Sequence, residues 1–238
     1  MKQLNKLISN IKGLVVSRVR ISEDRVLKKF LTKYVSLNSS VLDIGCGLGH
    51  NLTLLRDIGY VNIAGVDLSS EMVKRCRDNG FDVYLIDELL NGSRRFDVLL
   101  FSHVLEHVEY RDLQPLLESY FEIANPNAKV IICMPLLDPA FYHDVDHIKP
   151  YYPKGLMTLF SPIDIPKQYS SDFRLALIDI RFLRVSLLPY DLRCRHVRTY
   201  WNYFILGILA FFYKILKIAT FGLASKTTSY VAIFEINK

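Results

Sequence analysis

An α/β fold built on a mainly parallel sheet is what this sequence predicts, on three observations. Short, apolar, β-rich runs alternate with helical stretches between residues 41 and 134. Glycines stand where those helices should stop. A glycine-rich turn joins the first strand to the helix after it, which is where such folds bind ligands. Continuous apolar strands imply a sheet covered on both faces.

Residues 22–36 read as a helix, with Ser22 as its cap and Glu23 and Asp24 in the first turn, where negative charge meets the helix dipole. Val41–Ile44 is a strand, His50–Ile58 a helix ended by Gly59, Ile63–Val66 a strand, and Ser69–Asn79 a helix ended by Gly80. Phe81–Ile86 and Asp97–Phe101 are strands, 111–124 a helix, and Lys129–Met134 a strand. The periodicity then fades. Residues 135–172 carry six prolines and one short helix near 153–160, as in a cap over a site. Phe173–Leu188 is β-rich, 198–220 helical, and Ser229–Ile236 a last strand.

The chain of 238 residues is long enough for one sizeable core. Half of it is hydrophobic, and the mean hydropathy of +0.17 is high for a water-soluble enzyme. The net charge of +6 favours an anionic partner: nucleic acid, a phosphorylated substrate or an anionic membrane surface. Cys46, Cys76, Cys133 and Cys194 form no CxxC pair, so neither a zinc knuckle nor a disulfide framework is expected. Reduced thiols and an N-terminus without the apolar run of a signal peptide point to the cytoplasm.

The run VLDIGCGLGHN at 41–51 carries the chemistry. Gly45, Gly47 and Gly49 permit a tight turn and a close approach of ligand to backbone. A bare GxGxG is a weak signal, but Asp43 precedes it and VDLS follows at 66–69. Asp67 then stands at the end of the second strand, where a carboxylate can accept both hydroxyls of a ribose. A nicotinamide dehydrogenase would show GxGxxG, whereas His50 occupies the position of its third glycine.

These residues resemble the class I S-adenosylmethionine (SAM)-dependent methyltransferases, over roughly 25–135. Their first motif, hDhGxGxG, is matched by Leu42 to Gly49, with Cys46 as a small turn filler, and their ribose-binding acid by Asp67. The resemblance implies a Rossmann-like, mainly parallel seven-stranded sheet closed by an antiparallel C-terminal hairpin. It implies SAM as cofactor, held by Asp43, Gly45, Cys46, Gly47, Gly49, Asp67 and Leu68. Asp87 would lie near the adenine, and Ser102 and His103, in the fourth-strand motif at 96–108, beside the cofactor. The single domain then divides into a SAM-binding core at 22–134, an acceptor cap at 135–172, and a hairpin at 173–238 with an insertion at 189–228.

SAM carries its own activation, so the protein supplies position and, for a hydroxyl acceptor, a base. Two clusters offer one. The first is His103, Glu106 and His107, after strand four. A related Glu-x-x-Glu-His pattern accompanies a divalent metal in ubiquinone-biosynthesis O-methyltransferases. Here His103 replaces the first Glu, and no metal is expected. The second is His143-Asp144-Val145-Asp146-His147, followed by Tyr151 and Tyr152. It resembles a segment of bacterial methyltransferases found among surface-polysaccharide enzymes. His147 is the preferred base and His107 the second candidate.

Within the insertion, Phe204, Ile205, Ile208, Phe211, Phe212, Ile215 and Leu216 share one arc of a helical wheel over 199–221, with Lys214 and Lys217 opposite. Arg193, Arg195 and Arg198 precede it. An in-plane amphipathic helix at the inner face of the cell membrane is expected, with packing on the domain or on a second subunit as the alternative. The leading function is therefore O-methylation of a sugar, in a surface glycan or its lipid-linked precursor. The alternatives are methylation of a lipid-soluble quinone or polyketide, and a non-catalytic membrane scaffold. No nucleic-acid partner is expected.

Overall fold

The computed structural model describes residues 21–137, 141–160, 171–186, 208–209, 211–212, 215–216, 218–220 and 225–237. A seven-stranded sheet runs through it in the order β3-β2-β1-β4-β5-β7-β6. The strands are β1 (Val41–Ile44), β2 (Ile63–Asp67), β3 (Val83–Leu85), β4 (Phe96–Ser102), β5 (Ala124–Pro135), β6 (Arg174–Ser186) and β7 (Ser225–Asn237). The helices are α1 (21–34), α2 (His50–Ile58), α3 (Ser70–Asp78), α4 (Ile86–Leu90), α5 (Tyr110–Phe121) and α6 (Pro153–Leu159). Strands β1 to β5 pair in parallel, and β7 runs antiparallel between β5 and β6.

Alternation along each strand builds a core on both faces. Leu42, Ile44, Leu99, Phe101, Val130 and Ile132 face α5 and α6, where Leu117, Tyr120, Phe121 and Leu156 complete one core. Val41, Val98, Leu100 and Ile131 point the other way, onto Leu27, Phe30 and Leu31 of α1 and Leu55 of α2. Gly59, at φ 111°, stops α2 by donating its N–H to the carbonyls of Leu55 and Arg56. Ser69 caps α3, its hydroxyl accepting from the Met72 N–H, with Glu71 in the first turn and Arg75 and Arg77 in the last.

Several element ends shift from expectation, most of them by one to three residues, while strand five starts at Ala124 where Lys129 was expected. Three of the differences have a visible cause or consequence. Ile21 is already helical, so Ser22 lies inside α1 and does not cap it. Strand three stops at Leu85, because the Glu88 carboxylate accepts the Leu85 N–H and starts α4 at Ile86. The last strand begins at Ser225, inside the segment read as insertion, and extends the pairing with β6 to Ser186. Helical residues occur between 208 and 219, but the basic positions Arg193, Arg195, Arg198, Lys214 and Lys217 lie outside the described residues. No helix among the described residues is long and apolar enough to cross a membrane.

Candidate functional site

The loops after β1, β4 and β5 meet at the carboxyl end of the sheet. The order reverses there: β1 leads to β2 on one side and neighbours β4 on the other, which opens a crevice for a ligand. The glycine turn lines one wall. Gly45, Gly47 and Gly49 have φ of 69°, 51° and 81°, a left-handed backbone that side chains disfavour. The turn rests on β2, with Gly45 and Cys46 donating to the Val66 carbonyl at 2.8 and 3.1 Å.

Asp67 ties the turn together. One carboxylate oxygen accepts the Gly47 N–H at 2.8 Å and the other the Ser69 N–H at 2.9 Å. Each oxygen keeps a second lone pair. Among the described residues, no atom beyond Gly47 and its two chain neighbours lies within 4 Å of a Cβ built at Gly47, so these residues leave the space over the turn open. Leu48 and Leu68, 66% and 84% exposed, give this space an apolar rim. An acid at the strand end, an open glycine turn and an apolar rim suit a nucleoside with a charged tail.

The other predicted cofactor residues divide into buried supports and exposed ones. Asp43 is fully buried and accepts from the Asn51 amide at 3.1 Å, which couples β1 to α2. Cys46 is buried against Gly65, and burial together with Asp43, Cys76 and Asp67 pushes its thiol far up, so it stays protonated as a filler. Asp87 is exposed in the first turn of α4. Ser102 ends β4, partly buried.

A Cβ built at Gly45 would lie 2.6 Å from Val104 Cγ2, so the turn and the loop after β4 are packed without spare room. Gly45→Ala adds this clash to an unfavourable φ. Its expected cost is about 2–4 kcal/mol of stability, with weakened SAM binding, read by thermal unfolding and calorimetry.

His103 sits beside this contact at φ 57°. Its Nε2 meets Glu23 of α1 at 2.9 Å and its Nδ1 meets Glu106 at 3.1 Å. Burial opposes the charged ring, but the hydrogen bonds to Glu106 and Glu23 outweigh it and push the pKa up to about 10. His103 is thus an imidazolium between two carboxylates at neutral pH. The next acid of α1, Asp24, meets His50 of α2 at 2.9 Å. Sequence reasoning placed Glu23 and Asp24 only as dipole partners. Both clip α1 to the carboxyl end of the sheet, a long-range pairing without a local signal.

The two histidine clusters become one. The 3-10 turn Leu105–His107 follows β4, and the Ile148 N–H donates to the Glu106 carbonyl at 2.8 Å, pinning the loop after β5 against it. His107 and His147 lie ring to ring at 4.9 Å. His107 Nδ1 donates to the Asp146 carbonyl at 3.1 Å and His147 Nδ1 to the Phe141 carbonyl at 2.8 Å. In the neutral rings Nε2 therefore keeps the lone pair. Glu106 is fully buried beneath them. Tyr151 is buried, its hydroxyl on the Val108 carbonyl at 2.7 Å, so it is a packing residue, whereas Tyr152 is 49% exposed.

Solved structures share this architecture. A SAM-dependent methyltransferase from Archaeoglobus fulgidus superposes with a TM-score of 0.52 at 21% identity, over 89% of this chain and 94% of that one. The YcgJ protein from Bacillus subtilis gives 0.57 at 15% identity, over 91% and 98%. The methyltransferase domain of bacterial CtHen1-C gives 0.51 at 17% identity, over 92% and 100%. No curated protein matches the sequence. The family described as methyltransferase domain matches residues 19–173. That match runs from α1 through all the loops that form the crevice and takes in well over half of the chain, so the chain belongs to the methyltransferase domain family, with the class I fold and S-adenosylmethionine as cofactor.

Proposed function

We propose that this protein O-methylates a sugar hydroxyl, in a surface glycan or its lipid-linked precursor. The His107–His147 pair carries the reading: each ring donates its Nδ1–H to a backbone carbonyl of the loop after β5, which fixes the ring and leaves the Nε2 lone pair for a proton. The cofactor would be held by Gly45, Gly47 and Gly49 at its charged tail, by Asp67 at the ribose, and by Leu68 and Asp87 at the adenine. Asp43 and Cys46 support that turn, and Ser102 and His103 border the methyl. SAM, when bound, supplies a methyl already activated on sulfur. The chain's own task is to position a hydroxyl and help it lose its proton, which we assign to His147 and His107.

A polar rim supports sugar over quinone. His143, Asp144 and Asp146 are exposed around the pair, and the exposed rings of Tyr142 and Tyr152 offer faces for a sugar to stack on. Membrane attachment of the acceptor is supported by the helical residues between 208 and 219. Phe211, Phe212 and Ile218 are 62%, 62% and 69% exposed, an outward apolar surface suited to the plane of a bilayer.

The test is transfer of labelled methyl from SAM to membrane glycolipid extracts, soluble sugars, and quinone or polyketide phenols. Label is expected in the glycolipid fraction, and His147→Gln is expected to slow transfer by about 10²–10⁴-fold with SAM affinity retained. Label only in phenols would replace the acceptor class. SAM binding without transfer to any acceptor would favour the scaffold.

A further inference from the structure

We propose that Glu106, His107 and His147 bind a divalent cation. One donor atom from each residue lies within 4.8 Å of the other two, a spacing that a small closure of the side chains brings onto a common ion. The donors come from two loops some forty residues apart in sequence, so the site exists only because the fold pins the loop after β5 to the turn after β4.

The surroundings are those a metal site needs. Ligating histidines generally spend one ring N–H on a carbonyl or carboxylate, which fixes the tautomer and leaves the other nitrogen for the ion. Both rings do this, His107 on Asp146 and His147 on Phe141. Glu106 gives a second, independent observation. Its side chain is fully buried; one oxygen meets His103, and the other has no hydrogen-bond partner among the described residues. A buried carboxylate oxygen without a donor is costly, and a cation satisfies it. His103, turned to Glu23 and Glu106, holds that carboxylate from its far side and is not itself a donor. Asp144, with an oxygen 3.7 Å from His147 Nε2, adds negative charge at the rim.

Two imidazoles and one carboxylate suit borderline divalent ions such as Zn²⁺, Mn²⁺ or Co²⁺ and leave coordination positions open. For the role of the ion, the proposal rests on the methyltransferase reading above. An acceptor hydroxyl oxygen takes an open position, and the bound ion lowers its pKa so that its proton passes to water. His107 and His147 then activate the hydroxyl as ligands. Cation binding itself does not depend on that reading.

The test uses the full chain after treatment with a chelator. Zn²⁺ and Mn²⁺ are titrated by calorimetry and Co²⁺ by visible absorption, with SAM binding measured in parallel. One equivalent is expected to bind to the wild type. Glu106→Gln and His107→Gln are each expected to weaken binding at least tenfold, and the exposed His107 ring makes the second variant the safer one for folding. No binding of any of the three ions by the wild type, or binding retained in both variants, would overturn the proposal while leaving the SAM result standing. Loss of SAM binding with the cation still bound would overturn the methyltransferase reading instead.

Discussion

Asp67→Ala is expected to weaken SAM binding by about 10²–10³-fold, the loss of two hydrogen bonds to a charged acceptor at about 1.5–3 kcal/mol each, partly offset by water. The carboxylate does two jobs. It holds the Gly47 and Ser69 N–H groups and so fixes the glycine turn. Its remaining lone pairs face the crevice, where ribose hydroxyls can donate to them. Asp67→Asn separates the two, because the amide keeps one accepting oxygen and turns an NH₂ towards a backbone N–H. Calorimetry should place Asn between wild type and Ala. Wild-type affinity in Asp67→Ala would mean that Asp67 only shapes the turn and that the ribose is held elsewhere.

That prediction was available from sequence because its signals are local. The glycines, Asp67 and the apolar strands sit in one continuous stretch, and the backbone they demand is the backbone observed. The α2 bounds match at both ends, since Gly49 and Gly59 leave the chain little other choice. Strand three was read as Phe81–Ile86 but forms only over Val83–Leu85; at its end the β-branched Ile86 favours a strand, and the Glu88 side chain, bonded to the Leu85 N–H, decides against it.

The histidine side of the site was legible only in pieces. His107 and His147 were both named, but as members of separate clusters. What joins them is a backbone hydrogen bond from Ile148 to Glu106, and nothing in residue type announces it. Glu106 was named only as a member of the cluster after strand four, and nothing in the sequence showed that the fold buries it completely. Glu23 read as a first-turn acid that meets the helix dipole, and its partner His103 lies 80 residues away.

The Glu23–His103–Glu106 bridge leads to the second large effect, on stability. His103→Asn, measured on metal-free protein, is expected to cost roughly 2–3 kcal/mol near pH 6, the lower side of breaking a buried ion pair. The His103 side chain is 45% exposed, so solvent screens part of the interaction. Asn tolerates the left-handed backbone at φ 57°, so the cost reads the lost charge and not strain. The fully buried Glu106 then loses the imidazolium that faces it. A drop of about 5–10 °C in Tm should result. The pH dependence carries the sign. The folded pKa of about 10 lies above the ordinary histidine value of 6.5, so folding takes up a proton. The stabilisation is complete below pH 6.5, shrinks above it, and is lost as the pH passes about 10. Wild type and His103→Asn should therefore converge in unfolding free energy at high pH. A gap that stays constant from pH 6 to pH 10 would show that His103 contributes packing or backbone geometry, and not charge.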